Sequence, residues 1–143
     1  MKKTQKRLGN KGFSLVELIV VIAIMAVLVG VLAPTLIRNV EKSRESKDAQ
    51  NVDSIKNAIE VTLQDENVYN GVVGVKTDLV TLKSTGTTVE TTAGFDTTLK
   101  ETLDVTKTHL TSKKYKSQTI KFQVDGQGHV KVTGLPTEEE ASK

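Results

Sequence analysis

Lys11-Gly12-Phe13-Ser14-Leu15-Val16-Glu17 leads without a break into an apolar segment, Leu18 to Ile37. Residues 18–37 hold no charged side chain, and Glu17 is the only ionisable group between Lys11 and Arg38. Wound as an α-helix, a segment of that length reaches ~30 Å, about the hydrocarbon thickness of a bilayer. A carboxylate at the head of such a helix is costly in lipid unless it lies near the interface or meets a cation. Glu17 therefore needs a partner or a reason. Everything beyond residue 38 reads as a water-soluble part carried on this anchor.

Outward toward the N-terminus, residues 1–12 are polar and basic, with Lys2, Lys3, Lys6, Arg7 and Lys11 and no acidic residue. That bias holds the N-terminus in the cytoplasm and leaves the C-terminal part outside. It also makes the formal charge of +3 misleading, because removing residues 1–12 leaves −2. Nucleic-acid binding is accordingly not expected of the mature head. A conventional secretory signal is disfavoured: it would be cut after the apolar stretch, where Pro34 follows the one small-residue candidate, Gly30 to Ala33. Cutting at Gly12 instead keeps the apolar helix in the mature protein.

Gly12-Phe13-Ser14-Leu15-Val16-Glu17 after a short basic leader resembles the class III signal of type IV pilins and pseudopilins. The resemblance implies that a prepilin peptidase cuts after Gly12 and that the new N-terminal Phe13 is N-methylated. Glu17 then becomes the fifth mature residue and Pro34 the twenty-second, both in register with the family pattern. It further implies that Glu17 pairs with the Phe13 amine of a neighbour or of its own chain, setting subunit register. Two departures stand out. Ala26 replaces the glycine usual eight residues before the proline, and the chain has no cysteine where many members carry a pair. The matching region is roughly residues 7–40.

Toward the C-terminus, Phe13 to about Glu66 reads as one long helix that becomes amphipathic at Arg38. Val52, Ile55, Ile59 and Leu63 follow spacings of three and four, one helical face, flanked by Ala49 and Ala58. Glu41, Lys42, Arg44, Glu45, Lys47, Asp48, Asp53, Lys56 and Glu60 are assigned to the polar faces. Pro34 cannot donate to the Gly30 carbonyl, and Gly30 is itself a poor helix former. A helix break is expected at Gly30 and Pro34. The plain reading is a kink; the resemblance implies unwinding between Ala26 and Pro34 on entry into a filament.

Beyond Val68 the composition turns threonine-rich, with sixteen of nineteen threonines at or after Thr77. Gly94 to Leu103 fits a short helix capped by Asp96. Thr119–Val124 and His129–Thr133 alternate as strands around the turn Asp125-Gly126-Gln127-Gly128. Ile120, Phe122 and Val124 share one face, which is expected to pack on the Val52–Leu63 stripe. The fold class is thus α+β: a leader, 1–12; a long helix, 13–66, with its membrane span at 18–37; and a small antiparallel head, 67–143, packed on 50–66.

Little in the chain reads as catalytic. His109 and His129 stand alone and read as surface residues. The Asp125 turn offers one carboxylate, too few oxygens for a calcium loop. Glu138 to Glu140 have no turn to converge them, and no phosphate loop or paired zinc ligand is present. The expectation is no enzyme, metal or cofactor. The favoured function is a structural subunit of a type IV pilus, inserted as a single-pass prepilin and polymerised into an extracellular helical filament. Its partners would be copies of itself, the prepilin peptidase, the assembly machinery and membrane lipid. Alternatives are a pseudopilin of a type II secretion or DNA-uptake system, and an anchored binding domain that never polymerises.

Overall fold

The computed structural model describes residues 12–75, 78–92 and 94–137. The leader up to residue 11 and the Glu138–Glu140 tail lie outside them. Two units emerge, residues 1–38 and 39–143, linked through helix α1, Leu15–Thr62. In the first unit the helix is apolar on every side, so no face has a preferred inward direction. In the second it carries one buried stripe, Val52, Ile55, Ala58 and Ile59, at the spacing of a helix lying on a core.

The helix ends at Thr62 rather than near Glu66. Gln64 and Asp65 donate three residues back, to Val61 and Thr62, which tightens and closes the last turn. Asp65 then caps a short second helix, α2, Glu66–Val72, its carboxylate accepting from the N–H groups of Asn67 and Val68. The acidic and amide residues that signal a stop thus also signal a restart. Helix α3, Phe95–Thr102, occupies the expected segment, but its cap is Gly94 in the left-handed conformation. Asp96 does not cap it. It lies in the first turn and pairs with Lys100 at 3.4 Å.

Four antiparallel strands follow the order β2-β1-β3-β4, with β1 Val80–Lys83, β2 Gly86–Val89, β3 Ile120–Val124 and β4 Val130–Thr133. The hairpin around Asp125–Gly128 forms as expected, pairing Val124 with Val130. The first hairpin, 80–89, was hidden among threonines. Its long-range partner is β3, with Val80 opposite Phe122 and Leu82 opposite Ile120. Between β2 and β3 run α3, a 3₁₀ turn at Val105–Lys107, and α4, Lys113–Lys116.

Ile55, Ile59, Leu79, Val80, Leu82, Phe95, Leu99, Ile120 and Phe122 are fully buried in one cluster, so helix stripe and sheet face share a core. Gly134 closes β4 at a positive φ of 79°, where an added Cβ would lie 2.1 Å from the Thr119 carbonyl oxygen. Only glycine fits there.

Candidate functional site

Gly12, Phe13 and Ser14 precede the helix, and Ser14 is its N-cap residue: its carbonyl accepts the first intrahelical bond, from Leu18 N–H at 3.2 Å. Glu17 reaches back, its Oε2 accepting the Ser14 N–H at 2.8 Å. Ser14-Leu15-Val16-Glu17 thereby has the spacing of a capping box, one half of which is formed. The bond to Ser14 thus adds helix initiation to the pairing role that the resemblance implies for Glu17. Helix initiation does not use the whole carboxylate: among the described residues Oε1 accepts no hydrogen bond. Glu17, Phe13, Leu18 and Val21 line an open groove, and Phe13 is 92% exposed.

Gly12 adopts no positive φ, and a Cβ built on it meets nothing within 4 Å. The chain's own packing therefore gives no reason for glycine at this position. Gly30 is equally open, and the α-helical assignment runs through both Gly30 and Pro34. The break expected there concerns the assembled state and remains an expectation for it.

From Leu15 onward the surface is greasy. The best membrane-length window of α1 has a mean hydropathy of 3.1 and none of it is buried within the chain. Length and composition fit a membrane crossing.

Sequence reasoning missed what two other carboxylates, Asp48 and Glu41, do. Asp48, assigned to a polar face, is fully buried. Its Oδ1 and Oδ2 accept the Thr111 N–H at 3.1 and 3.0 Å, Oδ1 also accepts the Thr111 hydroxyl at 3.1 Å, and Oδ2 accepts the Ser112 N–H at 2.7 Å. One turn pair earlier, Glu41 Oε1 accepts the Lys113 N–H. The two acids fasten residues 111–113 to α1. The signal was present: 48, 52, 55 and 59 continue the same three- and four-residue spacing. A polar residue on a core stripe has to find buried donors. Glu41 also pairs with Arg44, one turn along the helix, at 3.7 Å.

The histidines are exposed, His129 lying 3.4 Å from Asp125 Oδ2. Asp125 accepts the N–H groups of Gln127 and His129, which hold its carboxyl below the ordinary range. It acts as turn chemistry. An open cavity of about 500 Å³ beside it is lined by Gly74, Gln123, Val124, Asp125, Gly126 and Lys131, with one acid and one base. Among the described residues no cluster of three potential metal-ligating side chains occurs.

Comparison with known proteins places these features. Residues 7–33 match the family model described as the prokaryotic N-terminal methylation motif. Over 71 residues the chain is 34% identical to prepilin peptidase-dependent protein A of Clostridium perfringens, covering 50% of this chain and 51% of that protein. It is 33% identical over 69 residues to type II secretion system core protein G of Vibrio cholerae, covering 48% and 45%. The corresponding protein of Aeromonas hydrophila is 35% identical over 65 residues, covering 46% and 45%. The chain thus spans about half the length of these curated relatives. No solved structure matches it. The resemblance carried by Gly12 to Glu17 is borne out: this is a chain with a prepilin-type N-terminus, similar to type IV pilins and pseudopilins.

Proposed function

We propose that the chain is a membrane-inserted filament subunit of the pseudopilin kind, cut between Gly12 and Phe13, methylated on the Phe13 amine and assembled through α1. The carrying observation is the uncovered apolar surface from Leu15 to Ile37, headed by one carboxylate. Lipid covers that surface before assembly, and neighbouring helices cover it afterwards. Within the stacked helices, Glu17 keeps its bond to the Ser14 N–H and offers Oε1 to the Phe13 ammonium of a neighbour. In a medium of low dielectric that pair fixes register more than it adds net stability.

The sequence by itself ranked a pilus subunit first. The names of the relatives, type II secretion system core protein G among them, weigh toward a secretion-type filament instead. Prepilin peptidase, the assembly machinery and further copies of the chain are the partners in either case. The open surroundings of Gly12 support a demand for glycine that comes from the processing enzyme. Mass spectrometry of the exported protein tests the reading: its chain should begin at methylated Phe13. An intact leader on a chain recovered only as monomers would overturn it.

A further inference from the structure

α4 puts Lys113, Lys114 and Lys116 on a single helical turn. No acidic residue lies between Asp104 and Asp125 in the sequence. Among the described residues, none of the three ammonium groups joins an ion pair, and Lys113 and Lys116 are exposed. The two α1 acids that fasten this segment are committed to other donors. Asp48 is buried on the N–H groups of Thr111 and Ser112, and Glu41 serves the Lys113 N–H and Arg44. Glu45 and Asp53 are the other α1 acids near this turn, and with Asp48 they act on Tyr115, whose hydroxyl is pushed above its ordinary range chiefly by burial.

The decisive feature is where this turn is fastened. Glu41 lies four residues beyond Ile37, the end of the uncharged segment. Even a fully extended chain of four residues reaches only ~14 Å. The anchorage of α4 therefore stays near the end of the span, whatever attitude the head adopts. A lysine side chain adds further reach, and charges act across a Debye length of ~8–10 Å.

We propose that Lys113, Lys114 and Lys116 form a docking surface for an anionic phospholipid bilayer, used while the chain waits in the membrane as a monomer. The proposal rests on the anchored reading above. A juxtamembrane basic cluster is drawn to acidic headgroups with a strength that grows per lysine. The covalent tether favours lipid over nucleic acid, because it keeps a bilayer within reach and brings no other polyanion there. Tyr115 is half-buried beside α1 and not displayed for base stacking. Docking would hold the head against the surface until extraction into a filament, and rising salt would loosen it.

The test uses the full chain reconstituted into phosphatidylcholine vesicles with or without phosphatidylglycerol. A limiting dose of a water-soluble acetylating reagent labels exposed lysines, and mass spectrometry reads each site. With phosphatidylglycerol, labelling of Lys113, Lys114 and Lys116 should slow about fivefold, the effect of ~1 kcal/mol per lysine, and recover in high salt. Lys131, on β4, is the unaffected reference. Equal labelling in both vesicles overturns the proposal, as does equal protection by a duplex oligonucleotide without anionic lipid. Flotation of the same vesicles at alkaline pH reports insertion independently. A chain that stays inserted with unprotected lysines fails this inference alone, whereas one that washes off fails the anchored reading.

Discussion

One helix crosses two chemical regimes. Before Arg38 it exposes every large apolar side chain it has; beyond Asn39 it buries Val52, Ile55, Ala58 and Ile59. Backbone hydrogen bonding is alike in both parts, so secondary structure does not distinguish them. Distribution does. A stripe can be satisfied by a core from the same chain, but an all-round apolar rod cannot. Covering a single large aliphatic side chain is worth ~1.5–3 kcal/mol, so leaving some fifteen in water is untenable. The first half must be completed by something that is not itself. The second half is complete as folded.

The two acidic residues at the critical places of these halves should fail in opposite ways. Glu17→Ala has the largest effect, and it falls on assembly: filaments should be lost while the chain still inserts in the membrane. The substitution removes one capping acceptor at an exposed helix end, about 1 kcal/mol of local stability. The denaturation midpoint of the head should not move, and normal filaments from this variant would break the contrast. Asp48→Ala comes next and acts on folding. It strands the Thr111 and Ser112 N–H groups and opens a void, costing about 2–4 kcal/mol. Denaturant unfolding of the full chain in detergent measures this. Asp48→Asn keeps an acceptor and should cost less than half as much. An unchanged midpoint for Asp48→Ala would mean that the 111–113 segment is not held from α1.

How much of this could be read from the chain divides along the same line. The N-terminal motif and the apolar helix behind it were legible, because their signals are local: a basic leader, a junction, an acid and an uninterrupted apolar run. The β3–β4 hairpin was legible for the same reason, with its turn and alternation contiguous. The β1–β3 pairing was not. It joins Leu82 to Ile120 across β2 and three helical segments, and nothing in either strand names its partner. β1 and β2 were also masked by threonine, which suits strands and loops alike. Asp48 was misassigned because a charge was read as a surface marker. Its place on the extended stripe, continuous with Val52 and Ile55, held the information that composition concealed. The capping box was missed, although a serine and a glutamate three residues apart at the head of an apolar run are its signature.

The smallest effect expected concerns the rim of the head, and it sharpens the difference between buried and exposed acids. Asp78 receives Lys121 Nζ at 2.6 Å and Gln123 Nε2 at 2.6 Å, donations that hold its carboxyl below the ordinary range. Asp125 is lowered chiefly by the His129 N–H and then by that of Gln127. A carboxyl depressed on folding contributes stability that is present above its unfolded value, about 3.9, and disappears as pH falls through the folded one. Neither group should therefore alter stability between about pH 5 and 8, where both are ionised in either state. Acidification below ~4 should remove their contribution, and Asp78→Asn should flatten that limb of the stability curve. The change stays small because the Asp78–Lys121 pair is open to solvent and screened, unlike Asp48. A urea titration of the variant at acid and neutral pH decides it: a loss at neutral pH as large as that of Asp48→Ala would erase the distinction between a surface ion pair and a buried anchor.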